Sequence, residues 1–223
     1  MNKAQITLDG PAASGKSTIA SLVAEKMGAF YINTGDMYRT LTRKVMDENI
    51  DVHTEANKIV DLLSRIDVNY RLASDGQYEL VCDGVVVKSE DIRNPQVTTL
   101  VSHVAKIPEV RQWLVTRQRQ SADLGLIVME GRDIGTVVFP ESKFKFYVTA
   151  SPLVRAQRRL AQSGEVLEGA TVEKVAAEIA ERDELDMNRA VSPLKPAEDA
   201  ILVDTSDLSI EEVIAEICSH IKE

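Results

Sequence analysis

Short, nearly unbroken apolar runs alternate along this chain with longer stretches in which apolar residues recur every three or four positions. Gln5-Ile-Thr-Leu-Asp9 reads as a buried strand. Residues 17–27 follow with Ile19, Leu22, Val23 and Met27 at helical spacing, and Gly28 is the stop signal. Residues 29–32 read as a second strand, Asn33-Thr-Gly35 as a turn, and Met37, Leu41 and Val45 as one face of a helix that begins near Asp36. From Val68 the period drops to two: Val68, Tyr70 and Leu72, then Tyr78, Leu80 and Cys82, then residues 85–87, with turns at Ser74-Asp-Gly76 and Asp83-Gly84. That segment predicts a small antiparallel meander. Helices are predicted over residues 95–106 and from Pro108 to about Gly125, since proline suits a first helical turn. The runs 126–129, ending in Glu130, 144–149 and 200–203 have the composition of buried parallel strands. Ser209 and Glu212 form a capping box for a C-terminal helix. The sum predicts an α/β fold: a parallel sheet flanked by helices, with the meander as an insertion.

Composition narrows the classes open to such a fold. With 223 residues and 44% apolar content, the chain can bury one substantial core and carry an embellishment. A net charge of -9 disfavours nucleic acid as a partner, because phosphate-backbone binding needs clustered positive charge. No run approaches the roughly 18 to 20 apolar residues of a membrane span, and Met-Asn-Lys-Ala-Gln leads into the first strand without a signal sequence. A soluble, cytoplasmic protein with no membrane partner is expected. Cys82 and Cys218 lie far apart in no metal-binding spacing and read as buried, inert thiols.

The most specific chemistry lies between the first strand and the first helix. Gly10, Pro11, Ala12, Ala13, Ser14, Gly15, Lys16 and Ser17 match the phosphate-loop pattern G-x(4)-G-K-[ST] without a mismatch, in the strand-loop-helix order that the motif requires. The glycines let several N–H groups turn inward, and the following helix adds its positive end, so phosphate oxygens are held by backbone and dipole together. Lys16 is placed to bridge the β- and γ-phosphates, and Ser17 to offer its hydroxyl to Mg²⁺. A nucleoside triphosphate is the expected ligand. The absence of an Asn-Lys-x-Asp motif lowers the GTPase alternative. Arginines at 39, 132, 155, 158, 159, 182 and 189 sit at predicted loops or helix edges. Arg182, Asp186 and Arg189 are spaced to share one helical face, which reads either as a solvated ion-pair ladder or as an anion site. Arg155, Arg158 and Arg159 cluster similarly, and like charges so close repel unless an anion compensates.

These pieces together resemble bacterial cytidylate kinases, which are nucleoside monophosphate kinases of the P-loop class. The matching stretches are Leu8 through Thr18, Thr34-Gly-Asp-Met-Tyr-Arg39, Gly131-Arg-Asp-Ile-Gly-Thr136, Arg155-Ala-Gln-Arg-Arg159, and Glu181-Arg-Asp through Asn188-Arg to Ser192-Pro-Leu194. The resemblance spans essentially the whole chain. It implies a single P-loop kinase unit with its core at about 1–36 and 125–223, an acceptor-binding region at about 37–124 carrying the meander, and a lid at about 155–169. It also implies ATP as co-substrate with Mg²⁺, CMP and dCMP as acceptors, and a monomer. Residue by residue, it implies that Gly10 through Thr18 and Arg158 hold ATP. Thr34, Tyr38 and Arg39 would face the acceptor's ribose phosphate, with Arg132 and Arg189 completing an arginine cradle. Ser102, Arg111 and Asp133 would read cytosine, and Arg182 and Asp186 the sugar. Lys16, Arg132, Arg155, Arg159 and Arg189 are then the catalytic cations. Asp133 has an alternative reading, in which it holds Arg132 or the loop backbone. Glu130 stands where the family usually has Asp, and its expected task is to hold Mg²⁺ through water or to orient the arginines. A kinase for UMP, AMP or shikimate, and a regulatory protein that binds ATP without turnover, are the rival readings.

Lys16→Ala is expected to leave a folded protein with very little kinase activity, because the loop lysine stabilises charge that shifts in the transition state. Steady-state turnover compared with the thermal midpoint tests this, and near-native turnover would sink the phosphate-loop mechanism.

Overall fold

The computed structural model of the chain describes residues 4–74, 76, 78–162, 166–167 and 169–221. Asp75 of the expected turn, and residues 163–165 and 168 of the expected lid, lie outside the described residues. The elements run in the order β1 (Gln5–Asp9), α1 (Lys16–Met27), β2 (Phe30–Asn33), α2 (Thr34–Asp47), α3 (Ala56–Leu62), β3 (Val68–Leu72), β4 (Tyr78–Cys82), β5 (Val85–Val86), α4 (Ser89–Ile92), α5 (Pro95–Ala105), α6 (Pro108–Gln120), β6 (Ile127–Gly131), β7 (Phe144–Thr149), α7 (Pro152–Ala161), α8 (Val172–Met187), β8 (Ile201–Asp204) and α9 (Ile210–Ile221). A short 3₁₀ turn (Ser121–Leu124) follows α6, and a π-helical turn (Ile134–Val138) follows β6.

Five parallel strands form the central sheet in the order β2-β6-β1-β7-β8. Because β1 is flanked by β6 and β7, the chain leaves β1 toward one edge and later returns to the other side. Such a reversal opens a crevice at the carboxyl ends of the strands, where α/β proteins bind ligands. Register places Asp9 beside Gly131 and Asn33 beside Glu130, so the ends of β1, β2 and β6 converge there. The strands read as apolar runs because helices cover both faces: α1 and α9 pack Ile19, Val23, Val213 and Ile217 against Ile6, Leu8, Val128 and Phe146, and Val115 of α6 packs with Ile127 and Met129 on the other side.

The meander β3-β4-β5 is antiparallel, as the two-residue period predicts, and has its own core with α2, α3, α5 and α6. Leu41, Val45, Ile59, Val68, Val104 and Leu114 are fully buried in it, each worth about 1.5–3 kcal/mol in transfer free energy. A third contact layer, with Ala12, Ala156, Val175 and Ile179, packs α7 and α8 onto the phosphate loop. No helix among the described residues is long and apolar enough to cross a membrane. Cys82 and Cys218 are free and buried. The Ser209–Glu212 capping box forms with N···O distances of 2.8 and 3.2 Å.

Two boundaries differ from the sequence pattern in ways that matter. The second helix starts at Thr34 and not near Asp36, because the Asn33 side chain caps it by accepting from the Asp36 N–H at 3.2 Å. The supposed turn is therefore the first turn of a helix, and its N-terminus faces the crevice. In addition, α8 stops at Met187 with Asn188 as its cap, so Arg189 lies beyond the helix and does not share a helical face with Arg182 and Asp186.

Tyr70 links the meander to the site. Its hydroxyl donates to the Asn33 carbonyl at 3.0 Å and accepts from the Asn33 N–H at 3.2 Å, bracing the β2–α2 junction. Tyr70→Phe should lower stability by about 1–3 kcal/mol, since it leaves two backbone groups unsatisfied in a partly buried place. The urea midpoint reads this, and an unchanged midpoint would mean that the junction is held by packing alone.

Candidate active site

Gly10 begins the phosphate loop in a conformation that only glycine permits: φ is 150°, and a Cβ there would sit 2.0 Å from the Val148 carbonyl oxygen. The loop thus lies hard against β7. Gly15, with φ of 91°, turns the chain into α1. Lys16 is buried and folds back over the loop, donating to the Pro11 carbonyl at 2.6 Å and to Ser14 Oγ at 3.2 Å. Burial, reinforced by the nearby charge of Arg132, lowers its pKa to about 7.

The loop opens into a cavity of about 450 Å³ lined by Lys16, Ser17, Thr18, Glu130, Arg132 and Arg158, among others. Leu208, Ile210 and Val213 add apolar lining. Arg39, Arg93, Arg159 and Arg182 also face it. A smaller cavity of about 50 Å³ adjoins, lined by Thr34, Tyr38, Ser102, Arg111, Asp133, Asp186 and Arg189. Gly35, Gly131, Arg132 and Arg182 line both, so these residues mark the junction.

Carboxylates hold the junction cations in place. Asp186 accepts from Arg132 Nε at 3.1 Å and lies 3.6 Å from Arg189 Nη1. Burial would raise the Asp186 pKa, but Arg132, Arg182 and Arg189 together hold it below the usual carboxylate range. Asp186 thus neutralises part of the arginine cluster. Arg182 has less compensation: burial, with Arg132 and Arg39, lowers it to about 9. Asp133 pairs with the Arg111 guanidinium in a buried contact, and that guanidinium lies over the Tyr38 ring at 5.3 Å. Nε of Arg111, Arg182 and Arg189 are buried without a hydrogen-bond partner. Residues that line the smaller cavity thus include three donors whose hydrogen bonding is incomplete.

Most residues singled out in the sequence converge here. Ser102, Arg111 and Asp133, contributed by α5, α6 and the loop after β6, share the smaller cavity with Thr34 and Tyr38. Thr34 donates to the Glu130 carbonyl at 2.7 Å, and Arg39 to Thr98 Oγ1 at 2.8 Å. The arginines of α7 do not act as one cluster. Arg158 donates to the Ser14 carbonyl and to Thr205, and Arg159 faces the larger cavity. Arg155 is turned away from the cavity: it pairs with Asp183 and donates to the Ala12 carbonyl at 3.1 Å and the Ala150 carbonyl at 3.1 Å. In this arrangement its guanidinium is engaged in pinning the phosphate loop to α7 and α8.

The Mg²⁺ expectation can be set against the donors present. Ser17 and Glu130 line the same cavity. Among the described residues no group of three or more His, Cys, Asp or Glu could hold a metal ion alone. Such a sparse oxygen set fits Mg²⁺, which takes one or two protein ligands and fills the rest with phosphate and water. The Glu130 carboxylate is steadied by the Tyr31 hydroxyl at 2.9 Å.

A sequence profile described as cytidylate kinase matches residues 6–223. The chain belongs to the cytidylate kinase family. Among its relatives, the cytidylate kinase of Desulforamulus reducens is 45% identical over 217 residues, covering 97% of this chain and 96% of the relative. Those of Streptococcus sanguinis and Bacillus subtilis are 46% and 43% identical, over 96% and 99% of this chain and 95% and 97% of the relatives. In fold, a shikimate kinase from Bacteroides thetaiotaomicron aligns with a TM-score of 0.51 at 12% identity, covering 98% of each chain. This likeness concerns the P-loop kinase fold only.

Several residues that shape this cytidylate kinase family site have weak sequence signals. Asp183 accepts from the Ala12 N–H at 3.0 Å while pairing with Arg155, yet in the sequence it is only the residue after Arg182. Arg93 donates to both oxygens of Asp36 at 2.7 and 2.9 Å across 57 residues. Thr205 reaches the Ser14 carbonyl at 3.3 Å across 191 residues.

Phosphate binding should restore the charge on Lys16. At pH 8, ATP binding to the wild-type chain should take up close to one proton more than binding to Lys16→Met, and the difference should vanish near pH 6, where the free lysine is already protonated. Calorimetry in buffers of different ionisation enthalpy measures the uptake. Equal uptake in both proteins at pH 8 would place Lys16 away from the phosphates.

Proposed function

We propose that the chain transfers the γ-phosphoryl group of ATP, with Mg²⁺, to the 5′-phosphate of CMP and dCMP, giving CDP or dCDP and ADP. The observation that carries this reading is the junction of the two cavities at Arg132 and Arg182, with three buried arginine Nε atoms left without partners on the smaller side. The larger cavity, with its phosphate loop and apolar lining, suits ATP. The smaller, at about 50 Å³, is too tight for a whole nucleotide as it stands, and a nucleoside monophosphate would enter as it opens, with the phosphate at the junction.

The chemistry needs no nucleophilic side chain. An oxygen of the acceptor phosphate, already anionic near neutral pH, bonds to the γ-phosphorus while the bond to the β,γ-bridging oxygen breaks, and ADP leaves with that electron pair. Alignment and charge supply the catalysis. Lys16 and Arg158 serve the donor side, and Arg39, Arg132 and Arg189 the acceptor phosphate at the junction. Ser17 and Glu130 would hold Mg²⁺, Glu130 through water, and the ion would supply positive charge beside the donor phosphates. Arg159 and the segment at about 155–169 act as a lid that excludes water, which otherwise competes as acceptor.

Cytosine presents an N4 amino donor beside N3 and O2 acceptors, and Asp133, Arg111 and Ser102 offer the complementary groups. Uracil sets its O4 lone pairs against the carboxylate. The sugar falls to Arg182 and Asp186.

A panel of CMP, dCMP, UMP, AMP and shikimate, assayed for ADP release, tests the reading and separates it from a kinase of another acceptor and from a regulator without turnover. Asp133→Asn should lower the CMP-to-UMP ratio of catalytic efficiencies by about 10-fold or more, because an amide can turn its NH₂ toward O4. Equal losses on both acceptors would mean that Asp133 serves only to position Arg111.

A further inference from the structure

Asp133 occupies the N-cap position of the π-helical turn Ile134–Val138, with φ of -145° and ψ of 26°, yet its side chain makes no capping hydrogen bond. Its carboxylate is committed to Arg111 in the smaller cavity. The first amides of a helical turn lack partners within the turn and are ordinarily satisfied by the cap residue's own side chain. Here the acceptor comes from elsewhere. Asp9, the last residue of β1, takes the Ile134 N–H on Oδ1 at 2.8 Å and the Gly135 N–H on Oδ2 at 2.7 Å.

We infer that Asp9 is a positioning residue for the acceptor loop: by capping the turn after β6, it leaves the Asp133 carboxylate to Arg111 and the base and fixes the peptide from which that side chain projects. This rests on the reading of the smaller cavity as the site of the acceptor nucleoside.

Three features make the arrangement rigid. Asp9 belongs to the middle strand of the sheet, held by β6 on one side and β7 on the other. Both of its oxygens are engaged, and the residue is 4% exposed. The turn lies close on β1, since a Cβ at Gly135 would come within 3.1 Å of Thr7 Oγ1 and 3.2 Å of Lys145 Cδ. Burial alone would push such a carboxyl up strongly, and the two amides hold it to about 7. Asp9 is also the residue immediately before Gly10. One residue therefore starts the donor loop with its backbone and anchors the acceptor loop with its side chain. A shift of about 1 Å in Asp133 and Arg132 would be enough to lower activity about 100-fold.

Asp9→Asn keeps one acceptor oxygen but turns an NH₂ toward the second amide. Its KM for CMP is expected to rise about 10-fold and its CMP-to-UMP efficiency ratio to fall about 5-fold or more, while the Kd for ATP measured without acceptor stays within about 2-fold. Asp9→Glu, which keeps the charge on a longer arm, should fall between the wild type and Asn. A folded Asp9→Asn protein that loses thermal stability but keeps its KM and base ratio would reduce Asp9 to a structural role. A larger loss in ATP affinity than in acceptor KM would assign it to the phosphate loop, and either result overturns the inference. Should both variants fail to fold, amide exchange in the wild-type chain decides: CMP alone should slow exchange at Ile134 and Gly135, and ADP alone should not. Exchange at both amides that CMP leaves unchanged overturns the proposal. The acceptor panel on the wild type keeps the two readings apart. If another acceptor is preferred, the cytidine assignment fails, and the same KM-against-Kd comparison with that acceptor still tests Asp9.

Discussion

Positive charge must be crowded into one crevice before any phosphate arrives, and the rest of the site follows from how the chain tolerates it. Lys16, Arg39, Arg93, Arg132, Arg158, Arg159 and Arg182 all face the larger cavity. Unscreened cations in a partly desolvated space repel strongly, and burial adds a further cost to each. The protein meets this with fixed counter-groups. Asp186 accepts from Arg132, Asp36 takes Arg93, and Asp183 takes Arg155. Carbonyls of Pro11 and Ser14 hold Lys16 and Arg158.

The compensation is incomplete where substrate is expected. Lys16 and Arg182 are pushed down to about 7 and about 9, and three arginine Nε atoms are buried without partners. A phosphate entering such a place replaces water with donors already aimed at it, so little reorganisation remains for the chemical step. The same imbalance gives ligands a reason to draw the surrounding elements together. An anion removes repulsion only when the cations of α7, α8 and the phosphate loop approach it jointly.

Position also couples the two halves of the site. The sheet reversal brings the ends of β1, β2 and β6 to one crevice, and the meander reaches that crevice through Tyr70 at the β2–α2 junction. Asp183 fastens the phosphate loop to α8, the helix that also carries Arg182 and Asp186. A displacement of α8 is therefore felt at both cavities.

By itself the sequence determined the α/β class, the antiparallel insertion, the phosphate loop and the family. Each of these is written in local pattern: a period of two or three to four, a glycine where φ must be positive, a lysine and serine at fixed spacing. It also named most of the residues that meet at the two cavities, because the family motifs mark them. What each charged side chain touches was decided only by tertiary structure. Arg155 and Arg159 have the same chemistry and lie four residues apart, yet one pins the loop and the other faces the cavity. Arg189 looked like part of a helical ladder until the helix ended before it. Asp133 had two readings in the sequence, and its pairing with Arg111 depends on α6 meeting the loop after β6. Asp9 reaches Gly135 across 126 residues. Such partners are chosen by strand order and helix packing over the whole chain, and a side chain's charge carries no record of which distant group will be brought to face it.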